Sequence, residues 1–193
     1  MAPRALRRAS FRCGGSDRAL PRRRAAADAS RRRATGGDVG GRLRTLALPP
    51  LTEAGELPAG VHPALLSEVR ARFGVGSVRR TALIQRLERI YRVALATGHL
   101  ARFLVFGSFV TSKPEPQDVD LFLVMADTFD ASELMGDMRL LFDHGAAQAH
   151  FGASVFWIRR RAAWPDERVA VEFWQVKRGG GRRGIVEIIR EAV

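Results

Sequence analysis

Apolar residues recur along this chain at two spacings. Between residues 79 and 98, Leu83, Ile84, Leu87, Ile90, Tyr91, Ala94 and Leu95 follow the three-to-four rhythm of one buried helix face. Ser77 or Thr81 stands where a cap is needed, and Gly98 ends the run. A shorter stripe, Leu65, Leu66, Val69 and Phe73, predicts a helix over 63–73, with Pro63 opening it and Gly74 closing it. Leu100–Phe106 and Val119–Met125 are short continuous apolar runs and read as buried strands. Residues 152–158 and 185–189 read as a third and a last strand. Residues 130–143 read as one helix, capped by Asp130 with Glu133 three places on. Residues 164–176 read as a helix, although the stretch VAVEFWQV also suits a strand. Helices followed by strands interleaved with helices predict an α/β (α+β) domain, a small mixed sheet flanked by helices.

Composition narrows the class. The chain has 193 residues, enough for one domain with a real core. A single cysteine, Cys13, excludes a disulfide framework. No run of 18 apolar residues exists, so no membrane-spanning helix and no membrane partner is expected. The formal net charge of +12 suggests a nucleic-acid binder, but the charge is unevenly placed. Residues 1–44 hold 13 arginines against three acids, a net of +10; residues 45–193 carry only +2. The first segment has little apolar periodicity and reads as a disordered Arg-rich arm. It is either an arm for RNA or DNA, a presequence without a clean amphipathic stripe, or an over-extended reading-frame start. Arg outnumbers Lys 30 to two, which fits a GC-rich bacterial genome; a cytoplasmic location is expected. Residues 45–62, punctuated by Pro and Gly, read as an extended lead-in to a domain over 63–193.

The chemistry concentrates in Phe106-Gly107-Ser108, nine intervening residues, then Asp118-Val119-Asp120-Leu121. This reads as strand, tight turn, loop, strand. Gly107 lets backbone approach a ligand, and Ser108 offers a hydroxyl and an amide. Asp118 and Asp120, two apart on a strand, face the same way at about 6–7 Å, while Val119 and Leu121 face the core. Two carboxylates so close repel each other, and a divalent cation with phosphate oxygens is a natural reason to keep them.

The motif resembles that of the polymerase-beta-like nucleotidyltransferase superfamily: an apolar residue, Gly, Gly or Ser, a short loop, then Asp-apolar-Asp/Glu-apolar. The likeness spans roughly residues 55–190 and is nearest to small bacterial minimal nucleotidyltransferases. It implies that Gly107 and Ser108 hold nucleotide phosphates and that Asp118 and Asp120 ligate Mg²⁺ or Mn²⁺ as the catalytic pair. The implied reaction moves a nucleoside monophosphate from an NTP to an unknown acceptor: protein, RNA or small molecule. It also implies a possible toxin–antitoxin or defence pair with a partner protein. Lys113, in the loop between the motif halves, is a candidate phosphate contact, or simply a solvated lysine.

One part of the superfamily's pattern is missing. A third carboxylate is expected on the neighbouring strand, near Ser154, and that strand has no acid. This keeps open a catalytically degenerate nucleotide-binding or partner-binding module of the same fold. Glu172 either points inward from another element in place of that acid or is a solvent-facing helical residue. Gly179, Gly181 and Gly184 match a dinucleotide fingerprint only formally, with nine residues after them. No phosphate-loop GxxxxGK[ST] occurs. His62, His99, His144 and His150 lack metal-ligand spacing, and His144 and His150 read as lying six apart across a Gly/Ala turn. Trp157, Trp164 and Trp174 read as core aromatics before base-stacking ones, and Arg159–Arg161 as a solvated rim.

Overall fold

The computed structural model describes residues 47–190 except 164, 165 and 178. The segment read as a disordered arm lies outside the described residues, as does Trp164. Five strands form one mixed sheet: β1 (Gly60–Ala64), β2 (Leu100–Phe106), β3 (Val119–Met125), β4 (Ala153–Arg159) and β5 (Gly184–Ile188). Among the described residues, five α-helices accompany them: α1 (Leu66–Phe73), α2 (Val78–Ala96), α3 (Gly136–Leu141), α4 (His144–Phe151) and α5 (Glu167–Gln175). The mixed α/β class expected from the sequence is the one observed.

The strand order is β1-β5-β2-β3-β4. β2 pairs antiparallel with both β3 and β5, whereas β1–β5 and β3–β4 are parallel. One sheet face carries Phe103, Val105, Leu121, Leu123 and Val186, packed with residues of α1 to α4. The opposite face carries Leu104, Phe106, Phe122, Val124 and Ile185, covered by Val171 and Trp174 of α5. Helix α2 buries the stripe its spacing predicts: Leu83, Leu87, Ile90 and Ala94 are fully buried. Ser77 caps it, its hydroxyl accepting the Arg80 N–H at 3.2 Å.

Three local expectations are corrected. Pro63 lies in strand β1, not at the start of a helix, and α1 begins at Leu66. β1 is an edge strand, where a residue without an N–H is tolerated, and the Glu68 carboxylate accepts the Leu65 N–H at 2.8 Å to start α1. Residues 130–143 do not form one helix. Asp130 caps a 3₁₀ turn at Ala131–Glu133, and α3 starts only at Gly136, whose φ is +56°. Finally, His144 and His150 do not flank a turn; they belong to α4, capped by Asp143 and closed by Gly152 at φ +63°.

Trp174 settles as packing. Its ring lies 5.1 Å from Phe106, 5.1 Å from Phe122 and 4.6 Å from Phe156. The Trp157 indole donates to the Phe142 carbonyl at 2.9 Å inside the other core. Among the described residues, no helix is long and apolar enough to cross a membrane.

Candidate active site

The two motif halves meet because β2 and β3 are antiparallel neighbours in a fixed register. Phe106 stands opposite Asp120, so the turn that leaves β2 lies beside the second aspartate. Gly107 makes that turn at φ +77°, and a Cβ there would overlap the Asp120 carboxylate. The chain then winds through a 3₁₀ turn, Gly107–Val110, whose Phe109 and Val110 are buried. Along β3, Val119 and Leu121 are fully buried. Asp118 and Asp120 are partly exposed, and alternation puts them with Phe122 on the α5 side.

Strand β4 completes the platform. Ser154 pairs in register with Asp120, the position where a third acid was expected. Its Oγ lies 3.0 Å from Asp118 Oδ2 and 3.1 Å from the Gln148 amide oxygen. One hydroxyl proton serves one acceptor at a time, so the chain is fully satisfied when the Gln148 amide donates N–H to Ser154 and Ser154 donates to Asp118. Among the described residues, no three His, Cys, Asp or Glu side chains are grouped to hold a metal ion. The donor set is therefore two carboxylates with a neutral hydroxyl beside them.

The loop joining the halves is held by α2. Arg80, only 6% exposed, donates to the carbonyls of Phe73 (2.9 Å), Phe109 (3.0 Å), Thr111 (2.7 Å) and Lys113 (2.5 Å). Burial pushes its pKa down and nearby Glu115 opposes this, but a guanidinium stays charged. Arg79 donates to the Pro116 carbonyl at 3.1 Å and to that of Gln117. The sequence reading missed both, because a charged residue beside an apolar stripe is read as solvent-facing. The Arg79-Arg80 pair directly after a cap is the signal that was available.

Beside the turn opens a pocket of about 260 Å³, lined by Gly107, Ser108, Thr111, Glu56, Lys177 and Arg183 among others. Ligand pockets commonly measure roughly 300–1,000 Å³, so this one suits a phosphate chain better than a whole nucleotide. Lys177 Nζ lies 2.8 and 3.1 Å from the two Glu56 carboxylate oxygens. The Arg183 guanidinium stacks over the Phe106 ring at 5.3 Å and donates to the Val176 carbonyl at 3.2 Å. Its buried Nε has no hydrogen-bond partner among the described residues.

A family profile matches residues 49–189, which contain every element of this site. The chain belongs to DUF6932, a family of unknown function. No curated protein and no solved structure matches it.

Within this DUF6932 domain the remaining candidates separate. Lys113 is exposed on the loop and outside the pocket lining; its backbone, not its side chain, is held. Glu172 pairs on α5 with Arg168 at 3.0 Å and approaches Arg182 at 3.9 Å. His144 stacks on Phe156 at 4.8 Å, and His150 joins Arg89 on the Asp137 carboxylate. Arg160 and Arg161 pair with Glu167 and Asp127 on the rim. The Gly179–Gly184 stretch closes a β-bridge between Val176 and Arg182 and opens no helix.

Proposed function

We propose that this DUF6932 protein is a metal-dependent nucleotidyltransferase that moves a nucleoside monophosphate from an NTP to an acceptor hydroxyl. The observation that carries the reading is the register of Phe106 with Asp120. It sets a glycine-serine turn, with room for phosphate, against a pair of same-face aspartates.

The donor set fits Mg²⁺, which binds through one or two protein carboxylates and leaves its other positions to phosphates and water. Asp118 and Asp120 would hold it, and when bound it supplies charge neutralisation for the triphosphate and polarisation of the acceptor. The protein's own work is positional. The Gly107–Ser108 backbone and the Ser108 hydroxyl cradle phosphate oxygens, and Arg80 keeps that turn at fixed distance from the aspartates. The acceptor oxygen bonds to the α-phosphorus and the bond to the β-phosphate breaks. Pyrophosphate leaves, and the hydroxyl proton passes to solvent.

A second reading, nucleotide binding without transfer, is favoured by one observation. Ser154 stands in register with Asp120 and donates to Asp118, where a third carboxylate would help activate the acceptor. One experiment separates them. The full chain and an Asp118→Asn/Asp120→Asn variant are incubated in bacterial lysate with Mg²⁺ or Mn²⁺ and α-labelled NTPs. Label on protein, RNA or a small molecule that requires both aspartates supports transfer. Absence of label, with metal-dependent nucleotide binding intact, supports the second reading.

A further inference from the structure

The pocket beside the glycine-serine turn contains charges that the motif reading did not use. Lys177 and Arg183 flank the stretch after α5, and their backbone is tied down. Lys177 N–H donates to the Gly181 carbonyl at 3.1 Å, and Arg183 N–H to the Gln175 carbonyl at 2.8 Å. Glu56 enters from the opposite side, on the segment before β1. That segment is stitched to the residues after the turn by the Glu56–Thr111 bridge and by the Ser112 N–H donating to the Gly55 carbonyl at 2.8 Å. Two cations and one carboxylate thus converge on a cavity that Ser108 also lines.

The accounting of partners is uneven. Lys177 has Glu56. Arg183 has an aromatic face, one carbonyl and, among the described residues, no acceptor for its buried Nε. A guanidinium on a pocket wall with no carboxylate partner among the described residues is a ready donor for an anionic oxygen in the cavity. A phosphate there also competes with the Glu56 carboxylate for Lys177. The Lys177–Glu56 pair is about one-third exposed on each side, 37% and 34%, so exchanging one anion for another costs little.

We infer that Lys177 and Arg183 form a polyphosphate-binding pair, and that Glu56 is a built-in competitor which the incoming phosphate displaces from Lys177. This rests on the nucleotide reading for its biological ligand, but the anion site stands on its own geometry. Its consequence is regulatory. Whatever shifts residues 52–57 changes phosphate affinity without touching either aspartate.

The probe is inorganic tripolyphosphate, titrated without metal into the full chain by calorimetry at low salt. Glu56→Gln is expected to bind about two- to five-fold tighter than the natural protein, and Lys177→Gln about ten-fold weaker. The exchange Glu56→Lys/Lys177→Glu restores the ion pair. It is expected to keep the natural melting temperature while still binding weakly, because the cation has moved to the other wall. Tripolyphosphate affinity unaffected by Lys177→Gln, or natural affinity in the exchanged variant, overturns the inference and leaves Lys177 a structural partner of Glu56. The two readings fail separately. Tripolyphosphate held through Lys177 with no label transfer sinks the transferase alone. Aspartate-dependent label with affinity indifferent to Lys177 sinks this site alone.

Discussion

At the scale of single residues, Gly107 carries the tightest constraint in the site. Its φ of +77° excludes an ordinary side chain, and the space its Cβ would need is filled by the Asp120 carboxylate. Gly107→Ala is therefore expected to destabilise the fold by about 1–3 kcal/mol and to weaken nucleotide binding at the same time. Denaturant midpoints and calorimetric titration of the same sample check both effects. A variant as stable as the natural chain would mean that the turn relaxes freely and that Asp120 is not fixed by it. Ser154 is the contrasting case. The absence of an acid on its strand was legible in the sequence. That its hydroxyl would take a hydrogen-bonding place between Asp118 and Gln148 was not, because Gln148 lies on a helix whose Gly/Ala-rich sequence gave no periodic signal.

At the scale of elements, β2, β3 and α2 were readable almost to the residue, since each has one strong pattern and a clear punctuating residue at its end. The failures occurred where local preference met tertiary pairing. Pro63 favours a helix start in isolation, but β5 offers the preceding residues a parallel partner and takes them into the sheet. The 130–143 stretch has helix-forming composition, yet Gly136 in the left-handed region breaks it. The most consequential element contact was hidden altogether. Arg80 ties α2 to the loop between the motif halves through four carbonyls. Lysine lacks the planar fork needed to serve them together, so Arg80→Lys is expected to cost about 2–4 kcal/mol of stability. The same substitution is expected to raise KM or Kd for nucleotide, because the turn and the aspartates lose their common anchor. Unchanged thermal melting in Arg80→Lys would show that the loop holds itself without α2.

At the scale of the molecule, the described residues place α1 to α4 on one face of the sheet and α5 with the candidate site on the other. Trp174 seals the lower part of that face against Phe106, Phe122 and Phe156. The aspartates stand above this seal on the same side of β3. The pocket opens beside the turn that Asp120 abuts, with cations from the segment after α5 on its wall. Within residues 45–193, whose net charge is only +2, Lys177 and Arg183 share this pocket with the Glu56 carboxylate. The measurement that tests this arrangement most directly is calorimetric titration of ATP, with and without Mg²⁺, into the natural chain and into Asp118→Asn/Asp120→Asn. The account predicts that Mg²⁺ tightens ATP binding at least about ten-fold in the natural chain and has no such effect in the double variant. Equal Mg²⁺ enhancement in both proteins, or no ATP binding by the natural chain, would contradict it.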